Sequence, residues 1–166
     1  MSERFTIRLA TPEDVDAIAG HRARMFEEMG EVPPESFEIL RSKSRERLRD
    51  LLSRGEYIGW LALPTERPDI IAGGAGVQLR EVLPHPLPRT NEGNKIAEGR
   101  HAIILNVFTE PEWRRQGVAV LLLQRIIDWA QAERLDRLVL HASDAGRALY
   151  ERLGFVGTNE MRFAGE

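Results

Sequence analysis

Apolar and polar positions alternate over Phe5, Thr6, Ile7, Arg8 and Leu9, a period of two that predicts an opening strand. Thr11 then offers a helix cap, Pro12 suits the first helical position, and Asp14 sits well in the first turn. Val15, Ile18, Arg22 and Met25 mark one side of the helix that follows, which closes by Gly30. Pro33 and Pro34 open a second helical stretch, with Phe37, Leu40, Leu48, Leu51 and Leu52 facing inward and Gly55 closing it. Residues 57–63 and 70–77 read as neighbouring strands joined by a turn that contains Pro64 and Pro68. Residues 103–108 form a β-branched and aromatic run of the kind found in buried strands, stopped by Pro111. Beyond it, Ala119, Leu122, Leu123, Ile126 and Ala130 recur at three- and four-residue spacing, which predicts a helix beginning near Gly117. Val139 and Leu140 anchor a further short strand, followed by a helix and a final strand.

This succession predicts an α/β (α+β layered) fold, one domain over residues 1–166, with a mixed sheet. Residues 79–100 fall outside the pattern. They carry Pro84, Pro86, Pro88, Gly93 and Gly99 without helical or strand periodicity, and so read as a long loop, either a surface excursion or a wall or lid of a functional site.

Composition narrows the chemistry. A chain of 166 residues buries roughly 70% of its unfolded surface and needs no staples. With no cysteine, disulfides, thiolate metal sites and an acyl-cysteine intermediate are excluded. The start, Met1-Ser2-Glu3-Arg4-Phe5, has no apolar signal region, and no stretch approaches the ~20 apolar residues of a membrane span. A cytoplasmic protein without a membrane partner is expected. The net charge of −3, with both signs interspersed, argues against nucleic acid as a partner. His21, His85, His101 and His141 are scattered without ligand spacing, so no metal is expected.

Candidate chemistry concentrates where the apolar strand meets Arg114-Arg115-Gln116-Gly117-Val118-Ala119 and the following helix. A helix start offers backbone N–H groups without intrahelical partners and the positive end of the macrodipole, both suited to phosphate. Gly117 lets a ligand approach the backbone, and Arg114 and Arg115 add positive charge. Neither Gly-x-x-x-x-Gly-Lys-Ser/Thr nor Gly-x-Gly-x-x-Gly after an early strand occurs, which argues against a nucleoside triphosphatase.

The run Thr109-Glu110-Pro111-Glu112-Trp113, the arginine-glycine turn and the helix are followed by Ala148-Leu149-Tyr150-Glu151-Arg152-Leu153-Gly154-Phe155. In order and spacing, these segments resemble the GCN5-related N-acetyltransferase (GNAT) family, over roughly residues 102–155. A looser echo lies at residues 5–14.

The resemblance implies a mostly antiparallel central sheet flanked by helices, with a splayed parallel strand pair holding the cofactor, acetyl-CoA. The splay would lie between residues 104–109 and 137–142. Val107, Phe108 and Thr109 would bind the pantetheine arm and stabilise the charge that develops on the carbonyl oxygen. Arg114, Arg115, Gln116, Gly117, Val118, Ala119 and Val120 would cradle the pyrophosphate. The activity implied is direct acetyl transfer to a primary amine of a small molecule or peptide, the acceptor being unidentified. A non-catalytic acyl-CoA sensor or interaction domain is the alternative, and a homodimer stays open.

Such a transfer needs an amine freed of its proton and a proton for the departing thiolate. By the resemblance Tyr150 is the general acid, against a packing role beside Leu149, Leu153 and Phe155. Relatives often carry an asparagine where this chain has Ser143, which contacts the cofactor or caps the helix beginning near Ala145. For the base, Glu110 at the strand end comes first, with His141 as rival. Glu27 and Glu28 are placed to hold a cationic acceptor.

Overall fold

The computed structural model describes residues 4–87 and 93–165. A five-stranded sheet runs in the order β1 (Phe5–Leu9), β2 (Tyr57–Pro64), β3 (Gly73–Glu81), β6 (Arg100–Thr109), β7 (Arg137–Leu140). All neighbours are antiparallel except β6 and β7, which are parallel. Helices α1 (Val15–Glu28) and α2 (Phe37–Ser53) follow β1, α3 (Val118–Ala132) joins β6 to β7, and α4 (Asp144–Arg152) follows β7.

Strand alternation distributes side chains to two cores. Trp60 and Ala62 of β2, Ala75 and Val77 of β3, and Ala102 and Ile104 of β6 meet Val118, Leu122, Leu123 and Ile126 of α3. On the other side Tyr57 and Leu61 of β2 meet Val15, Ile18 and Ala19 of α1 and Leu48 and Leu51 of α2. Leu122, Leu123 and Ile126 are wholly buried, each contributing about 1.5–3 kcal/mol of transfer free energy.

Local chemistry sets the element ends. Asp14 accepts hydrogen bonds from the Thr11 amide (2.7 Å) and from both terminal nitrogens of Arg8 (2.8 and 2.9 Å), pinning the entry to α1 onto β1. Those bonds hold the Asp14 carboxyl below its ordinary range, the Arg8 bonds contributing most. Ahead of α3 the chain turns through Gly117 at φ +86°, a left-handed conformation that costs a glycine little.

Four sequence expectations change. The β3 strand starts at Gly73 rather than at residue 70, and it runs on to Glu81, because Gln78 to Glu81 pair with Ile103 to Arg100 of β6. Residues 79–100 are therefore not one loop: they also hold a small hairpin of β4 (His85–Pro86) and β5 (Ile96–Ala97), although residues 88–92, with Pro88, lie outside the described part. On α3 the first buried contact is Val118, one residue before the expected Ala119, which is half-buried. Last, no strand forms after α4 among the described residues. Gly157 and Asn159 are poor strand formers, and Val156, Met161 and Phe163 stay exposed.

Candidate active site

Pairing between β6 and β7 ends at Ile104 opposite Leu140, yet β6 continues for five more residues. Beyond that point the β7 side of residues 105–109 has no strand partner among the described residues. Val107, Phe108 and Thr109 all lie in this stretch.

A bulge changes what β6 presents there. Gly74 pairs with Phe108 and Gly76 with Leu105, so two steps of β3 oppose three of β6. The extra residue shifts the alternation by one. Ile104 and Val107 face the α3 core, whereas Asn106 and Phe108 face α1. Asn106 takes φ +59°, which asparagine tolerates better than most residues. Its Nδ2 donates to Tyr57 Oη (3.0 Å), and its Oδ1 accepts from Arg22 Nη1 (2.8 Å). Burial pushes the Tyr57 hydroxyl up to about 12, so it stays protonated, and burial draws the Arg22 guanidinium below its ordinary value. Gly76 makes room for this chain of bonds, since a Cβ there would overlap Tyr57 Oη.

Where β6 ends, the chain enters the arginine-glycine turn. The first regular α3 bond runs from Leu121 N–H to Gly117 C=O (3.0 Å), which leaves the amides of Val118, Ala119 and Val120 without an intrahelical acceptor. A Cβ on Gly117 would meet nothing within 4 Å, so the space before the helix start is open. The loop's side chains are largely committed elsewhere. Arg114 donates to Thr109 C=O (3.0 Å) and to both oxygens of Glu28 (2.8 and 2.9 Å), stapling the loop to β6 and α1. Gln116 accepts from Arg4 (2.7 Å) and donates to Glu112 C=O (2.9 Å). Arg115 is exposed at φ +58°. What the loop offers a phosphate is chiefly backbone.

Glu110 sits at the floor of a cavity of about 380 Å³ between α1, α2 and the sheet end, lined also by His21, Arg24, Phe37, Arg41 and Ile71. Its Oε2 accepts from Arg24 Nη1 (2.7 Å), its Oε1 from Arg24 Nη2 (2.6 Å), and His21 Nε2 lies 3.2 Å from Oε1. The Arg24 bonds hold the Glu110 carboxyl below its ordinary range, while burial holds His21 below its own and leaves it neutral at pH 7. Neutral His21 donates from Nε2 to the carboxylate. Three of the roughly four lone-pair sites of Glu110 are then used, and one on Oε2 is left for another donor. The Phe108 ring stacks on His21 (5.0 Å) and lies under Arg24 (4.9 Å), joining the cavity to the bulged strand.

Tyr150 lies half-buried on α4, packed with Leu149 and Leu153 against the α3 core and edge-on to Phe155 at 6.1 Å. Burial raises its pKa, and no hydrogen bond engages its hydroxyl among the described residues. Ser143 caps α4, its Oγ accepting from the Gly146 amide (3.2 Å), so the second of its two expected roles is realised. His141 is exposed and paired with Glu160 (2.9 Å). Glu28 is engaged by Arg114, and Glu27 stays exposed without joining the cavity lining.

A mostly antiparallel sheet with the parallel pair β6–β7, flanked by helices, matches the GNAT fold. The acetyltransferase (GNAT) family model matches residues 22–155, and the chain belongs to that family. Among solved structures it is similar to a GCN5-related N-acetyltransferase from Ralstonia eutropha JMP134, with 27% identity, 97% of this chain and 99% of the other covered, and a TM-score of 0.81. A predicted acetyltransferase from Clostridium acetobutylicum, solved with acetyl-CoA, shares the fold at 23% identity, 97% and 96% coverage and a TM-score of 0.74. A putative acetyl transferase from Pyrococcus furiosus does so at 18% identity, 98% and 99% coverage and a TM-score of 0.72. No curated protein matches the chain.

Proposed function

We propose that this chain transfers an acetyl group from acetyl-CoA directly to a primary amine of a small molecule or peptide. One observation carries the reading: β6 outruns β7 by five residues and is followed, after the turn over residues 110–117, by a helix start with unpartnered amides and open space at Gly117. An extended amide-bearing arm fits beside the unpaired stretch of β6, and a pyrophosphate fits the amides of Val118, Ala119 and Val120. Backbone groups of residues 115–120, together with Val107, Phe108 and Thr109, hold the cofactor in this reading, and Arg114 fixes the loop's shape. Ser143 anchors the start of α4 close to the end of β7. Acetyl-CoA, when bound, supplies an activated thioester carbonyl.

Glu110 offers its remaining lone pair to the acceptor nitrogen and takes its proton, directly or through water. Arg24 and His21 fix the carboxylate in place but also lower its basicity. Tyr150 gives a proton to the departing sulfur, and its raised pKa keeps that proton in place at neutral pH. The clamp on Glu110 is also what favours the second reading, an acyl-CoA-binding sensor without turnover. Thiol release from acetyl-CoA on adding pooled primary amines separates the two. Acceptor-dependent release supports the transferase, and saturable binding without release under every amine supports the sensor.

A further inference from the structure

The cavity above Glu110 has an uneven balance of charge. Glu110 is matched by Arg24, and Asp16 is matched by Arg45 at 2.6 Å. His21 is buried and neutral. Arg41, which reaches the same cavity from α2, has no comparable partner. Its Nη1 lies 3.4 Å from Glu38, longer than an ordinary charge-assisted bond, and the Glu38 side chain is 72% exposed. Its Nε is buried with no hydrogen-bond partner among the described residues. The terminal nitrogens, on a side chain 36% exposed and held only by that long contact to Glu38, are the groups free to take an acceptor from outside the chain. Phe37 and Ile71 supply apolar wall, and a volume of about 380 Å³ suits a small molecule.

We infer that the acceptor is a small primary amine that also carries an anionic group, a carboxylate or a phosphate, which Arg41 holds while the amine end meets Glu110. The inference rests on the transferase reading for the meaning of the amine, but the anion preference is a property of the cavity alone. A guanidinium can grip either anion with two parallel N–H bonds once Glu38 is displaced. Arg41 would hold the anion and the remaining lone pair of Glu110 the amine, which sets the direction of the acceptor in the cavity.

Calorimetric titration with matched pairs tests this without requiring turnover: glycine against glycinamide for the carboxylate, phosphoethanolamine against ethanolamine for the phosphate. The anionic member of at least one pair should bind about tenfold or more tighter than its neutral counterpart. The pair that shows the difference identifies the anion. Arg41→Gln should erase the difference, and Glu38→Gln, which releases Arg41 from its weak partner, should preserve or enlarge it. Glu38 is exposed and Arg41 half-buried on α2, and circular dichroism checks that the variants fold. Equal binding within both pairs, no binding of either anionic member, or a preference that survives Arg41→Gln would overturn the inference. Failure of the transferase reading shows separately, as absent thiol release with acetyl-CoA, whatever the pairs do.

Discussion

In the proposed reading Tyr150 and Glu110 face opposite proton tasks, and their surroundings differ accordingly. Burial raises the phenol and keeps it a donor, while the Arg24 fork lowers the carboxyl and keeps it an anion. Tyr150→Phe removes only the hydroxyl, so kcat should fall about 100-fold with the KM for acetyl-CoA nearly unchanged, as steady-state thiol release would show. A loss confined to KM would place the residue in packing instead. Asn106 carries a structural burden of the same size. Asn106→Ala leaves Tyr57 Oη and Arg22 unsatisfied inside the protein and should cost about 2 kcal/mol or more in urea unfolding. Tyr150, Glu110 and the glycine loop were recognisable as candidates in the sequence because they sit in short contiguous patterns. His21 and Arg24 were not, since on a helix of mixed polarity they read as ordinary side chains until Glu110, 86 residues or more away in sequence, meets them. Two signals were there to use: Asn106 is a polar residue inside an apolar strand, and Gly73, Gly74 and Gly76 crowd another strand, where glycine marks a bulge or close approach.

The β6 strand and α3 act as one unit: the bulge aims Phe108 at α1, and the α3 core holds the helix start against the strand end. Leu122→Ala should therefore cost about 2–5 kcal/mol, measured by denaturant unfolding, because the wholly buried side chain leaves a cavity that its neighbours cannot fill. Long periodic elements were readable from sequence, and α1, α2, α3, β1, β2 and β6 fall close to their expected places. What pattern could not give was pairing. The extension of β3 to Glu81 exists because β6 lies opposite it, and the expected last strand is missing where Val156, Met161 and Phe163 find nothing to cover them. The bulge was equally hidden, since it is a mismatch between two strands and not a property of either.

At the scale of the whole molecule, His21, His101, Glu110 and Asp14 tie stability to pH in the same direction. His21 is held neutral by burial, whereas in the unfolded chain it titrates near ~6.5, so below that pH the unfolded state binds a proton that the folded state refuses. Glu110 and Asp14 have depressed pKa values, so their contribution is present above the unfolded carboxyl range near ~4 and is lost as pH falls through the folded values. The melting temperature should fall in two stages on acidification, first between about pH 7 and 5 and again below about pH 4. His21→Gln should shrink the first stage, and His101, also lowered by burial and by the charges of His85, Arg137 and Arg80, accounts for part of the remainder. The central claim is that the parted β6 and β7 strands, together with the α3 start, hold acetyl-CoA. Calorimetric titration of the chain and of Gly117→Val with acetyl-CoA tests it most directly. The account predicts saturable one-to-one binding by the chain and at least tenfold weaker binding by the variant, whose side chain would enter the open space before α3. No binding by the chain, or equal binding by both, would contradict it.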